Sequence, residues 1–222
     1  MERKEFEKGI KLALPVCLGI LPVAISFGLV AVQAGLTRLQ SILMSAFVMA
    51  GSAQFAAVGM WANAGFFPIV LVTFFINLRY LVMSGSLFSR FGKTTAAEKF
   101  LSAFPLSDES FAITSLSDSC CPSLLIGANT IIYAVWVLGA VLGAFLGDIL
   151  PSVISDGFGV AFYAVFLAML VPAMKNSRGI LGLVALTALL NILLGLILPA
   201  TWSIIISMVA AAFIGTFFVE EA

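Results

Sequence analysis

The sequence predicts an all-α fold, a polytopic transmembrane helix bundle with about six or seven membrane segments, one of the early segments being broken or re-entrant. Hydrophobic residues make up 62% and charged residues only 10% of the 222 residues, whereas soluble domains carry about 25% charged residues. Apolar runs recur along the whole chain. The composition excludes a soluble enzyme. A net charge of zero with scattered Lys and Arg excludes a nucleic-acid-binding surface.

Seven apolar stretches are long enough to reach across a bilayer, which needs about 17–25 helical residues. They are residues 9–34, 39–63, 66–88, 124–147, 158–174, 179–200 and 202–218. No linker divides them, so residues 1–222 are expected to form a single membrane domain. The first stretch follows a basic start and shows no small-residue cleavage site, so we expect it to be retained.

The basic residues indicate how the first three stretches cross. Those among positions 1–11 place the N-terminus in the cytoplasm. If all three stretches cross, the basic residues of positions 89–109 and 175–178 fall outside, against the positive-inside rule. If one early stretch enters and returns, they lie inside. The sequence therefore predicts about six full crossings with both termini inside.

Two early stretches contain sites for such a break. The first carries Pro15 and Pro22, and the second carries Gly51 followed by Ser52. Irregular backbone at membrane depth persists only where protein or a water-filled cavity satisfies its polar groups. Broken helices of this kind form binding sites in many membrane proteins, and a kinked helix packed on its neighbours is the alternative.

Arg79 is the most costly residue for a bilayer, because it lies near the centre of an apolar stretch. It should face a partner, a cavity or an interface, or else snorkel to the membrane surface. Asn77 lies about 200° away from Arg79 on a regular helix, so the two cannot point into one pocket. Either the helix unwinds there, or the two side chains serve different neighbours.

Other polar residues in apolar surroundings have two interpretations each. Gln54 can bind a polar ligand or lock two helices together. Asp108 and Glu109 stand at a membrane boundary, where a carboxylate can carry a proton or simply cap a helix. Asn191 is expected to serve helix packing.

Glycines at every fourth position predict a close helix contact, since Gly139, Gly143 and Gly147 form one ridge of small residues. Enzyme chemistry is not expected, because histidine is absent and no phosphate-binding loop or nucleophile elbow occurs. The three cysteines have no metal-ligand spacing. We expect no metal site and no cofactor.

Three motifs stand in the order found in one known family. They are Gly51-Ser52-Ala53-Gln54-Phe55, Asn77-Leu78-Arg79 and Asp108-Glu109-Ser110-Phe111-Ala112. With the chain length and the proline-interrupted first stretch, this ordered set resembles the AzlC family of bacterial branched-chain amino acid exporters.

The resemblance implies a multi-pass protein of the inner cell membrane, the large subunit of a secondary-active exporter. Its partners would be a small hydrophobic AzlD-type membrane subunit and an apolar amino acid substrate. Without an ATP-binding loop, uphill export would draw on an ion gradient, with protons the simplest choice. A channel or facilitator and a structural subunit of a membrane complex are the alternatives.

Residue roles follow from the resemblance position by position. The residues that would line or shape a central pocket are Gly51, Ser52, Gln54 and Phe55. Asn77 and Arg79 would hold the polar site or its lock. Asp108 and Glu109 would take part in gating or proton coupling.

Overall fold

The structure, a computed structural model, describes residues 2–62, 64–92, 94–147, 167, 170–171, 174–175 and 177–218. In this part of the chain the regular elements are all helices, which confirms the all-α prediction. They are α1 (Arg3–Gln33), α2 (Arg38–Phe47), α3 (Gly51–Met60), α4 (Phe66–Arg90), α5 (Ala96–Ala103), α6 (Asp108–Ser115), α7 (Pro122–Leu146), α8 (Arg178–Gly195) and α9 (Ala200–Phe218).

Three described helices, α1, α4 and α7, are long and apolar enough to cross a membrane. The last two apolar stretches of the sequence form α8 and α9, which pack on each other. There Ser203 donates a 2.6 Å hydrogen bond to Asn191 Oδ1, so Asn191 has the packing role expected of it. The stretch at 158–174 falls almost wholly outside the described residues.

Helices α1 and α7 run parallel in close contact. A Cβ on Gly28 or Gly143 would collide with the backbone of the facing helix, at Ala140 O and Ile25 O respectively. At Gly139 it would lie 2.5 Å from Ala24 Cβ. The glycine ridge predicted from the sequence is therefore the contact that joins these two helices.

The starts of α1 and α7 and the end of α4 lie together at one side of the bundle. Lys8 Nζ donates a 2.8 Å hydrogen bond to Ser119, just before α7, which joins the start of α1 to the start of α7. The last turn of α4 packs there as well, since Leu87 belongs to one apolar cluster with Leu125. Helix α4 therefore runs antiparallel to α1 and α7.

The second apolar stretch is broken into two short helices. The sequence predicts a break in one of the first three stretches without saying which, and the structure has it here. Helix α2 begins beside the end of α7, where the Arg38 guanidinium lies 5.0 Å from the Phe145 ring centroid. It ends near the middle of α7, where the Tyr133 hydroxyl donates a 2.9 Å hydrogen bond to Ala46 O. Helix α3 then returns towards the end of α7, and its Phe55 ring packs 5.5 Å from Phe27 of α1.

A second pair of short helices enters from the opposite side. Helix α5 begins with a capping box in which Thr95 and Glu98 exchange hydrogen bonds, and these bonds lower the pKa of the Glu98 carboxyl. The end of α5 reaches the middle of α7, where Asn129 Nδ2 donates to Ser102 O at 2.9 Å. Helix α6 runs back to the last turn of α4, where Arg90 donates to Ser115 O.

The start of α6 corrects one expectation. Ser107 is the N-cap, and it forms a reciprocal capping box with Ser110, so Asp108 is the first helical residue rather than the cap. A serine hydroxyl serves here in the place of the usual Glu or Gln side chain at the third helical position. The carboxylate of Asp108 is thereby left for other contacts.

We name the α2–α3 pair the first hairpin and the α5–α6 pair the second hairpin. Their tips, residues 48–50 and 104–107, come from opposite sides and approach each other beside the middle of α4 and α7.

Candidate functional site

A cavity of about 590 Å³ lies where the two hairpin tips meet. Its wall comes from α1, α4, α7 and both hairpins. The lining residues are Val16, Gly19, Ile20, Val23, Met49, Gly51, Ser52, Phe55, Arg79, Tyr80, Ser107, Asp108, Glu109, Ile132 and Trp136. Six of the eight predicted site residues are among them, namely Gly51, Ser52, Phe55, Arg79, Asp108 and Glu109.

Arg79 joins the two hairpins across this cavity. Its Nη2 donates to Ser52 Oγ of the first hairpin at 2.7 Å and lies 2.9 Å from Asp108 Oδ2 of the second. The guanidinium carbon also sits 5.1 Å from the Tyr80 ring centroid, within the range of a cation–π contact. Helix α4 is continuous here, so the arginine neither snorkels from a helix end nor lies in an unwound segment.

The opposite wall of the cavity is apolar. Val16, Ile20 and Val23 of α1 recur at helical spacing on one face, and Gly19 lies on the same side. Ile132 of α7 continues this surface. A Cβ built on Gly19 would meet no atom within 4 Å, so this glycine leaves part of the cavity free.

Two helix N-termini face the cavity. Gly51 and Ser52 open α3, whose N-cap Ala50 supplies no side-chain cap. Asp108 and Glu109 open α6, which Ser107 does cap. The first turn of a helix carries backbone N–H groups without intrahelical partners and a partial positive charge, which favours a bound anion.

Gln54 does not line the cavity but supports its wall. The side chain is fully buried, and its Oε1 accepts a 3.0 Å hydrogen bond from Trp136 Nε1. The Trp136 ring lies so close to α3 that a Cβ on Gly51 would be 2.8 Å from its Cη2 atom. Gln54 therefore fixes the indole that forms one side of the cavity.

Asn77 lies apart from the cavity lining, as its angular distance from Arg79 on α4 predicts. Its Oδ1 atom is buried without a hydrogen-bond partner in the described part of the chain. Of the two polar side chains, only Arg79 faces the cavity.

Among the lining residues that were not predicted from the sequence, three carry a side chain that can donate a hydrogen bond: Tyr80, Ser107 and Trp136. The capping spacing of Ser107 and Ser110 was the signal available for Ser107. An indole in an apolar helix gives no signal of its own. Among the described residues, no group of three His, Cys, Asp or Glu side chains could hold a metal ion.

Comparison with known proteins agrees with this architecture. The profile of one family, described as AzlC protein, matches residues 15–150, which contain most of α1, all of α2 to α7 and the whole cavity lining. No solved structure matches the chain.

Several relatives are membrane proteins by name. An uncharacterized membrane protein of Archaeoglobus fulgidus is 29% identical over 77% of this chain and 77% of its own length. The inner membrane protein YgaZ of Escherichia coli is 29% identical over 83% of this chain and 80% of its own length. The branched-chain amino acid transport protein AzlC of Bacillus subtilis is 28% identical, over 49% of this chain and 42% of its own length. The chain is a multi-pass membrane protein.

Proposed function

The chain belongs to the AzlC family, and from this premise we propose that it is the large subunit of a secondary-active exporter of branched-chain and other apolar amino acids. The observation that carries the proposal is the cavity between the hairpin tips, with an ion pair at one side and an apolar wall at the other. The name of the Bacillus subtilis relative supports transport of branched-chain amino acids as the activity.

A zwitterionic amino acid is complementary to this site. Arg79 and the uncapped start of α3 bind the carboxylate, and Asp108 with Glu109 binds the ammonium group. The apolar side chain lies against Val16 and Ile20 of α1. Before substrate binds, Arg79 and Asp108 neutralise each other at 2.9 Å. When the substrate binds, its carboxylate pairs with Arg79 and its ammonium group pairs with Asp108. These two pairs replace the original one, so no charge is left unpaired in the membrane.

Export against a gradient follows if a proton competes with the substrate for Asp108. When Asp108 is ionised it holds the ammonium group, and when it is protonated it releases it. Arg79, Tyr80 and Glu109 are the other charged or titratable groups that line the cavity beside it. Exchange of a substrate for a proton then lets the proton gradient drive export, with about 2.3 kcal/mol per charge available from each 100 mV of membrane potential.

The whole chain, residues 1–222, acts as one membrane transporter domain beside a small hydrophobic AzlD-type subunit. Helix α4 has an outer face that the described chain leaves uncovered, since Phe67, Phe74 and Leu81, seven residues apart on one side of the helix, are each more than half exposed. Lipid or the small subunit covers this face in the membrane.

The test is efflux of labelled valine, leucine, isoleucine and methionine from cells that express this chain with and without its small partner. We expect efflux that requires the partner and is lost in Arg79→Ala at unchanged membrane levels. Arg90→Ala is the matched control, because Arg90 lies at the exposed end of the same helix. No efflux of any of the four from a stable complex overturns the amino-acid assignment.

A second measurement separates an exporter from a facilitator. Collapse of the proton gradient should abolish uphill efflux of the wild type. Asp108→Asn, whose neutral side chain cannot hold the ammonium group, should show no efflux with or without that gradient. Downhill flux of the wild type that ignores the gradient would identify a facilitator instead.

A further inference from the structure

A second polar site lies beside α7, outside the cavity lining, where the C-terminal ends of α2 and α5 converge. Asn129 donates to Ser102 O near the end of α5, and Tyr133 donates to Ala46 O near the end of α2, both at 2.9 Å. Asn129 and Tyr133 are one helical turn apart on α7. The partial negative charges of two helix C-termini are therefore brought together at one point of the bundle.

Three oxygen atoms that have no hydrogen-bond partner among the described residues belong to residues at or next to these two hydrogen bonds: Asn129 and Ser102 form the first bond, and Ser45 precedes Ala46 of the second. Asn129 is 1% exposed, and Ser45 and Ser102 are fully buried. In the described part of the chain, Asn129 Oδ1, Ser45 Oγ and Ser102 Oγ have no hydrogen-bond partner. Each is an unpaired oxygen in a protein interior, which is unfavourable unless a ligand or a water molecule satisfies it.

The chemistry of these groups favours one kind of ligand. The atoms available as ligands are all uncharged oxygens, which suit hard cations. The described contacts bring no carboxylate to neutralise a divalent ion, and no imidazole or carboxylate to carry a proton. No described hydrogen bond or ion pair brings a basic side chain to Asn129, Ser45 or Ser102 either. A monovalent cation matches two partial negative charges, and C-terminal ends of broken helices are known ligands of Na⁺.

We propose that Na⁺ binds between the ends of α2 and α5, coordinated by Asn129 Oδ1, Ser102 Oγ, Ser45 Oγ and carbonyl oxygens of the two helix ends. The ion joins the first hairpin to the second through residues that do not line the cavity of Arg79. If the chain is the exporter proposed above, Na⁺ then sets how the two tips move relative to each other. Binding of Na⁺ itself does not depend on that function.

The experiment is thermal unfolding of the purified full-length protein in NaCl, KCl and choline chloride at equal ionic strength. A ligand that binds only the folded state raises the melting temperature as its concentration rises. We expect NaCl to raise it above the other two salts. Ser45→Ala and Ser102→Ala each remove one unpaired hydroxyl, so without Na⁺ they should melt like the wild type. In both variants the half-saturating Na⁺ concentration should rise by roughly tenfold or more.

Ser41→Ala is the matched control. Ser41 is equally buried, its hydroxyl equally lacks a hydrogen-bond partner among the described residues, and it lies one turn away from Ser45 on α2, so its loss should leave the Na⁺ response unchanged. Equal melting in all three salts overturns the proposal and leaves water as the occupant. A Na⁺ response that persists in both Ser45→Ala and Ser102→Ala, or that Ser41→Ala abolishes as well, also overturns it. If the wild-type protein shows the Na⁺ response but no amino acid efflux, the proposed function is wrong and the Na⁺ site is not.

Discussion

A single arginine holds the centre of this molecule together. An arginine in the middle of a membrane helix costs about 2.5–3.5 kcal/mol on insertion scales. Here the cost is offset, because Arg79 bonds Ser52 on one hairpin and pairs with Asp108 on the other. Its side chain remains 37% exposed towards the cavity. The arginine can therefore exchange one carboxylate partner for another.

Removal of one member of this pair should reduce stability more than removal of both. Arg79→Leu leaves Asp108 without its partner, and we expect a loss of about 1 kcal/mol, below the full cost of a buried unsatisfied group because the Asp108 side chain is 33% exposed to the cavity. Asp108→Asn in the same chain should restore most of that stability without restoring efflux. The check is a double-mutant cycle of melting temperatures alongside efflux. Additive losses of stability in the cycle would show that the two side chains do not interact.

The free space at Gly19 should set the size of the substrate. A Cβ added at Gly19 would meet no atom within 4 Å, and the rest of a leucine side chain would take up cavity volume. We therefore expect Gly19→Leu to reduce leucine efflux more than valine efflux. The substitution should not harm the helix, because leucine is a better helix former than glycine. Efflux ratios at matched expression are the measurement.

Gly85→Leu is the control for this prediction. Gly85 also lies within a long helix, and a Cβ added there would meet no atom within 4 Å, but it is not part of the cavity lining. Equal loss of valine and leucine efflux in Gly19→Leu, or a changed ratio in Gly85→Leu, would contradict a cavity that selects by size.

At the residue scale, helical geometry predicted more than residue type did. The angle between Asn77 and Arg79 correctly predicted that the two side chains do not share one pocket. The polarity of Gln54 suggested a place in the pocket, yet its side chain is taken up by Trp136. The residue type alone does not say whether a glutamine side chain bonds a ligand or a neighbouring tryptophan. Only the packing of α3 on α7 distinguishes the two.

At the scale of elements, a break in one early stretch was predicted, and the second hairpin was not. Gly51 and Ser52 marked one of two places where the break could fall, the other being the prolines of the first stretch, and the structure has it between α2 and α3. Helices α5 and α6 have eight residues each and lie in a more polar segment. Their burial depends on contacts with α4 and α7 that are distant in sequence. Local hydropathy therefore gave no sign of a second hairpin.

The contact between α1 and α7 should be sensitive to added volume at its glycines. Gly143→Ala would place a methyl group against Ile25 O and Leu29 N, so the helices must shift apart. We expect a loss of about 1–3 kcal/mol, measured as a lower melting temperature. Gly182→Ala in α8 meets no atom within 4 Å and should be neutral or slightly stabilising. A wild-type melting temperature for Gly143→Ala would mean that the two helices are not in contact.

At the scale of the whole molecule, helix directions agree with the distribution of basic residues. Because α1 and α7 are parallel, the chain between them must cross the membrane an odd number of times. Helix α4 supplies one crossing, and each hairpin enters and returns on its own side. The chain thus repeats a long helix and a hairpin in opposite orientation, as α1–α3 and then α4–α6. Arg90 lies on the same side as the N-terminus, as the positive-inside rule requires.

This topology can be tested with single cysteines at the two ends of each hairpin. Gln33→Cys and Ala62→Cys flank the first hairpin, and Ala96→Cys and Leu116→Cys flank the second; all four positions are exposed. We expect a membrane-impermeant maleimide to label the first two in intact cells. The other two should react only after permeabilisation, because a re-entrant hairpin has both ends on one side.

The test requires a background without the native thiols Cys17, Cys120 and Cys121, none of which forms a disulfide. That cysteine-free chain must still reach the membrane and should give no labelling on either side. Opposite labelling of Gln33→Cys and Ala62→Cys would show that residues 39–63 cross the bilayer. The cavity would then not lie between two opposed hairpins, and both the proton exchange at Asp108 and the Na⁺ site between α2 and α5 would lose their structural basis.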